Sequence, residues 1–393
     1  MGLQDPQTPV TGVANDYKPR LAWPRRRCRI TDDEQADELT TAARLVFDAA
    51  TGVVGVVAGT HRAIARRTGA LSGFVYACVN AGITIGGAVA DLALTTTGIG
   101  RHYRPLQSTA AGRRVGAALN GAVGDSLTGR YAALATPMRL RANGADVPPE
   151  SLRERQDAGP HVVVLVHGLV ENEEWWQPVA AEDRVDFGRG LAEDLGASVL
   201  YVRYNSGRRV ADNGRELALL LDEVAANWPV PIERLSLVGH SMGGLVARSA
   251  VHHAVTDDLS WAAVLGDVVC LGTPHQGSDV ERAAEVVGRT LGLFRQSEPL
   301  ATLFVLRSAG IKDLRHGRID ASERAGRQLF VAATLARDPD SWPGRVFGDL
   351  LVTPASATDP TQPADRRTLG GVSHNALLRH PRVYEELRGW LRT

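Results

Sequence analysis

Along the second half of the chain, short unbroken apolar runs alternate with longer stretches in which apolar residues recur every three or four positions. The runs are 161–169 (HVVVLVHGL), 198–206 (SVLYVRYNS), 234–241 (RLSLVGHS), 262–274 (AAVLGDVVCLGTP) and 328–336 (QLFVAATLA). Runs that are apolar at every position, and not at every second one, mark strands buried on both faces. Between them, 184–195, 209–228 and 242–255 carry the apolar stripe of amphipathic helices. This alternation predicts an α/β fold: a mostly parallel sheet with helices on both sides.

Upstream of 161 the pattern differs. Residues 1–30 are rich in Pro, Arg and polar residues and read as disordered. Residues 31–140 read as a helical N-terminal region: acids in a first turn at 32–38, then small-residue apolar stretches at 51–60 and 68–90, then a further helical stretch near 109–140. Residues 68–90 hold 23 positions without a charge, diluted by Gly, Ala, Thr and Ser. They suit helices that approach a neighbour through small residues; the alternative is peripheral membrane or lipid-surface contact through 51–90. Residues 141–160, with RANGADVPPESLRERQDAGP, read as a linker. The catalytic-type domain is then 161–393, and the long interval 275–327 suits either a cap or a helix pair on the sheet's flank.

Charge adds little. Forty-four basic side chains balance 44 acidic ones, so no nucleic-acid partner is expected. Cys28, Cys78 and Cys270 are odd in number and widely spaced, which argues against disulfides and thiolate metal sites. No His/Asp/Glu cluster has ligand spacing, so no metal is expected. The N-terminus lacks the apolar core of a secretory signal, and a cytoplasmic protein is the default expectation.

The chemistry concentrates at Gly239-His240-Ser241-Met242-Gly243, between a strand and a helix. A serine on a sharp strand-to-helix turn needs flanking residues without side chains, and Gly239 and Gly243 supply them. Such a serine is a poor nucleophile until a base removes its proton. Among the histidines, His374 is the best placed, after the last strand and before a terminal helix. His240 points away from the turn, His275 lies at the wrong position in the chain, and His380 suits a helix cap. His167 suits a hydrogen bond that holds its own loop. For the acid that orients the base, Asp349 is flanked by apolar residues, whereas Asp338, Asp340 and Asp359 look like turn residues. Backbone N–H groups of Met242 and Leu169 are placed to meet the charge of a tetrahedral intermediate. Trp175 and Trp176 follow that second turn, either walling a pocket or anchoring the loop.

Five segments in order, VVVLVHGL, LVGHSMGGLVAR, CLGTPHQGS, GDLLVTPASA and GVSHNALLRHPRVYEELRGWL, resemble the α/β-hydrolase superfamily, in particular its lipase and PGAP1-like esterase branch. The resemblance covers about 160–393. It implies an α/β-hydrolase fold, here with a sheet reduced to six strands because no clear strand precedes 161. It further implies Ser241 as nucleophile, Asp349 as acid, His374 as base, and Leu169 and Met242 as oxyanion-hole donors. Many relatives carry glycine where this chain has Leu350. The implied activity is cofactor-free hydrolysis of carboxylic esters, commonly of acyl lipids, through an acyl-enzyme. An acyltransferase with the same triad and a non-catalytic membrane-associated scaffold are the alternatives.

Overall fold

Five of the strands coincide with the five apolar runs. In chain order they are β3 (His161–Val166), β4 (Ser198–Arg203), β5 (Arg234–His240), β6 (Leu265–Leu271) and β7 (Arg327–Thr334). The structure, a computed structural model, describes Thr41 and residues 106–127, 129–142, 144–177, 185–277, 308–316 and 326–393. A sixth parallel strand, β8 (Asp365–Gly370), pairs with β7 from Leu329↔Asp365 to Thr334↔Gly370. The six parallel strands lie in the order β4-β3-β5-β6-β7-β8.

The expected linker is not one. Two short strands, β1 (Arg139–Ala142) and β2 (Ala145–Val147), form a hairpin that extends the sheet to eight strands beyond β4. β1 runs antiparallel to β4, with Leu140 opposite Val202. Gly144, at φ +77°, makes the tight turn between the two. The reduced six-stranded sheet therefore describes the parallel part alone. The hairpin escapes the pattern because its strands are four and three residues long, with two arginines and an aspartate.

Strand residues alternate between two cores. Val162, Val164, Leu237 and Val268 face the long helices α3 (Val210–Asn227) and α4 (Met242–Thr256), where Leu217, Leu221, Leu245 and Val246 are buried. Val163, Leu165, Val238 and Val269 face the opposite layer, built by α2 (Phe187–Leu195) and α8 (Pro381–Arg392) with Phe187, Leu191, Val383 and Leu387. Each fully buried Leu or Val contributes about 1.5–3 kcal/mol relative to exposure. With both faces covered, most strand positions are apolar, hence the unbroken apolar runs.

A third, smaller core sits at the carboxyl edge of the strands. There α1 (Ala110–Val123) and α5 (Ala309–His316) pack with Leu127, Val170 and Ile311. α1 comes close through small residues: a Cβ on Gly121 would lie 2.5 Å from Val170 Cγ1. The N-terminal region is thus, for this helix, part of the domain. Residues 278–307 and 317–325, most of the interval where a cap is the alternative reading, lie outside the described residues, as do 51–90. Among the described residues no helix is long and apolar enough to cross a membrane. Two further short helices are α6 (Trp342–Phe347) and α7 (Pro354–Thr358).

Candidate active site

Ser241 stands between β5 and α4 with φ +51° and ψ −122°, a backbone conformation that costs about 1–3 kcal/mol for a residue with a side chain. Its surroundings enforce it. Ser241 N–H donates to Leu271 O at 2.8 Å. A Cβ on Gly243 would fall 2.3 Å from Val166 O, and one on Gly239 would fall 2.4 Å from Gly244 N. Neither position tolerates a side chain, which is the steric reason for the glycines on both sides. Ser241 remains partly exposed at the carboxyl edge, while β5 and the start of α4 around it are buried.

His374 reaches the same edge from a short helical turn, His374–Leu378, that follows β8. Its Nδ1 lies 2.7 Å from Asp349 Oδ2. The other carboxylate oxygen, Oδ1, accepts from Leu351 N–H at 2.9 Å and Val352 N–H at 2.8 Å, so the acid is pinned by its own turn. Burial opposes the charge on Asp349, but His374 and the two backbone donors outweigh it and hold the carboxyl below its ordinary range. Burial likewise opposes an imidazolium at His374; the charge and hydrogen bond of Asp349, then the charge of Glu171, overcome it, and the His374 pKa is raised.

Ser241 and His374 converge on the end of β6. A Cβ on Gly272, next to the carbonyl that receives Ser241 N–H, would lie 3.2 Å from His374 Cε1 and Nδ1. Among the described residues the Ser241 hydroxyl makes no hydrogen bond to His374. In sites of this kind that bond commonly tightens only when substrate is bound.

The two expected backbone donors flank the serine on separate elements. Met242 is the first residue of α4, where the initial N–H groups have no acceptor within the helix. Leu169 follows Gly168, whose own N–H is committed to Glu171 Oε2 at 2.7 Å. Gly168 is close to the serine: a Cβ there would lie 3.1 Å from Ser241 Cβ. The turn is held by His167. Its Nδ1 donates to Gly168 O at 2.8 Å, its Nε2 accepts from Tyr204 N–H at 3.3 Å, and its ring stacks on Tyr204. Burial lowers its pKa, in keeping with a neutral ring.

The other sequence candidates sit elsewhere. Arg248 Nη1 donates to His275 Nδ1 at 2.8 Å, and burial lowers the pKa of that ring to about 3. His380 caps α8 by accepting Arg382 N–H. Asp359 accepts from Gln276 and Thr361. Trp176 is fully buried against Phe187, an anchor in the core. Leu350, where relatives favour glycine, adopts φ +80° beside the acid.

Sequence reasoning missed two buried glutamates. In ENEE (171–174) a run of polar residues reads as solvated, yet Glu171 and Glu173 are both buried. Glu173 accepts from Arg141 Nε at 2.9 Å and Arg203 Nε at 2.7 Å, tying the loop to β1 and β4. Glu171 faces His240. The only signal was their position directly after a strand end, where a loop turns back over the sheet.

A strained serine between strand and helix, with a histidine joined to a carboxylate at the same edge of the sheet, is an arrangement similar to that of α/β-hydrolases. Residues 156–292 match the family described as "Putative serine esterase (DUF676)". The chain is 34% identical over 122 residues to a triacylglycerol lipase of Pseudarthrobacter phenanthrenivorans, covering 30% of this chain and 34% of that one. A triacylglycerol lipase of Burkholderia plantarii is also 34% identical over 122 residues, covering 30% of each chain. The chain thus spans about a third of the length of these curated relatives. Among solved structures it is similar to the mature lipase BlEst2 of Bacillus licheniformis, with TM-score 0.42 and 20% identity over 59% of this chain and 92% of that one.

Proposed function

We propose that this protein hydrolyses carboxylic esters with apolar acyl groups, acyl lipids included, through an acyl-enzyme on Ser241. His374 takes the hydroxyl proton as Ser241 attacks the ester carbonyl, and returns it to the departing alcohol. Asp349 keeps the proton of His374 on Nδ1, leaving Nε2 free to act as the base. The N–H groups of Leu169 and Met242 meet the oxyanion. Water, activated by the same histidine, then releases the acid and restores the serine.

The single observation that carries this reading is the His374–Asp349 bond of 2.7 Å at the strand edge where Ser241 is held in a strained turn. The lipase and esterase class of the relatives supports ester substrates. An apolar acyl group is further supported by the segment carrying Asp349, where Leu335, Trp342, Val346, Phe347 and Leu350 are all exposed.

The test is hydrolysis of p-nitrophenyl esters from acetate to palmitate by the wild type and Ser241→Ala, together with labelling by a fluorophosphonate. The expected result is activity and labelling in the wild type and loss of both in the variant. A folded wild type inert towards every ester and unlabelled would overturn the proposal.

A further inference from the structure

Glu171 and His240 are buried ionisable groups that this reaction leaves without a part. Glu171 is 5% exposed and His240 is fully buried. Glu171 Oε2 accepts Gly168 N–H at 2.7 Å and faces His240 Nδ1 at 2.9 Å. The other ring nitrogen, Nε2, faces the carbonyl of His374 at 3.1 Å. A carbonyl can only accept, so Nε2 bears a proton and donates it. A carboxylate stands opposite Nδ1, so both ring nitrogens face acceptors, and the buried acid is met by the ring and by Gly168 N–H.

What the pair holds is more telling than the pair itself. Gly168 separates Glu171 from the nucleophile: a Cβ on it would lie 2.9 Å from Glu171 Oε2 and 3.1 Å from Ser241 Cβ. Leu169, the donor on that turn, is the next residue. His240 immediately precedes Ser241, and its ring lies 4.8 Å from that of His374. One pair therefore bonds to the oxyanion turn and to the backbone of the base, and is covalently continuous with the nucleophile. Trp176 closes the remaining side, its ring edge-on to His240 at 6.5 Å.

We propose that Glu171 and His240 are a positioning pair that clamps the oxyanion turn to the loop carrying His374, fixing donor, nucleophile and base relative to one another. The proposal rests on the assignment of Ser241, His374 and Asp349 given above. Neither member touches substrate; each acts through the backbone it bonds. Groups that orient metal ligands through hydrogen bonds commonly change activity about 10–100-fold when removed, and a loss of that order is expected for this pair. The ionisable groups facing the pair are His167 on the turn after β3, Tyr204 after β4, and His374 with its partner Asp349. The charge of Glu171 favours protonated His374, so its removal also moves the acid limb of the rate profile to lower pH.

The experiment compares the full chain with Glu171→Gln, His240→Gln, the double variant and Ser241→Ala, using p-nitrophenyl butyrate across about pH 5 to 9 with thermal melts alongside. Each single variant is expected to lower kcat about 10–100-fold with KM changed less than about threefold. The double variant should be no worse than the worse single one, because the two act as a unit. In Glu171→Gln the acid limb should move to lower pH. Folded variants with wild-type kcat and an unmoved limb, or losses that multiply in the double variant, overturn the proposal. Should Glu171→Gln fail to fold, His240→Gln decides alone, and a kcat within about twofold of wild type overturns it. Undiminished activity in Ser241→Ala is a different failure, that of the underlying site assignment.

Discussion

Asp349→Asn should cost activity far out of proportion to its change in shape. The carboxylate has two tasks on two oxygens: Oδ1 accepts Leu351 N–H at 2.9 Å and Val352 N–H at 2.8 Å, and Oδ2 meets His374 Nδ1 at 2.7 Å. Asparagine has only one oxygen to offer. If its NH2 faced the turn, two backbone donors, that of Val352 buried and that of Leu351 part-buried, would lose their acceptor, at about 1–3 kcal/mol for the buried one. The oxygen therefore stays on the turn and the NH2 faces His374 Nδ1. That nitrogen must then accept, the imidazole proton moves to Nε2, and the atom required to deprotonate Ser241 is occupied. A base locked in the wrong tautomer in a comparable triad loses roughly ten-thousandfold in kcat, about 5.5 kcal/mol. The assay is kcat/KM on p-nitrophenyl butyrate, with the rate of fluorophosphonate labelling and a thermal melt run in parallel. A folded variant that loses less than about tenfold would refute the reasoning, since the one amide orientation that keeps the proton on Nδ1 strips both turn donors of their acceptor.

Four further outcomes are expected. Because His374 has a raised pKa, the acid limb of kcat/KM should have its midpoint above the value of about 6.5 for free imidazole; a midpoint below it contradicts the assignment. By the same linkage the charged His374 stabilises the fold fully below the unfolded pKa, and that contribution fades as pH rises through the folded value, so His374→Gln should cost more stability in acid than in mild alkali. Leu350→Gly relieves a positive φ of +80° at a residue that is 49% exposed, so it should leave stability unchanged or raise it by about 1 kcal/mol in a denaturant melt, whereas Leu350→Val should lower it. A chain starting at residue 155 should be markedly less stable, because it lacks β1, which covers the edge of β4, and Arg141, which bonds buried Glu173. Equal melting temperatures and equal ester hydrolysis by the short and full chains would contradict this.

The comparison of pattern with structure divides along physical lines. The central strands were legible because burial on both faces leaves its mark on every residue of the run, as in HVVVLV of β3. The serine turn was legible because its steric demand falls on immediate neighbours: Gly239 and Gly243 answer clashes of 2.4 and 2.3 Å that any Cβ would meet. Asp349 stood out from the turn-forming aspartates by its apolar flanks, and the structure joins it to His374. The hairpin of 139–147 left no such mark. Its short polar strands acquire stability only from the edge of β4, which lies about sixty residues further along.

Thus the sequence alone determined five of the six parallel strands and the amphipathic helices between the first of them, the serine turn, and the types of group able to act with it; β8, with polar residues at 365–368, was not among them. These depend on unbroken apolar runs, on 3.6-residue patterns and on sterics spanning a few residues. Only the tertiary structure decided that Glu171 and Glu173 are buried, and that His240 lies between Glu171 and the carbonyl of His374. Their partners lie far along the chain: Glu171 meets His240 across 69 residues, and His240 meets His374 across 134. A buried charge is tolerated or ruinous according to what faces it, and what faces it is set by how distant elements pack.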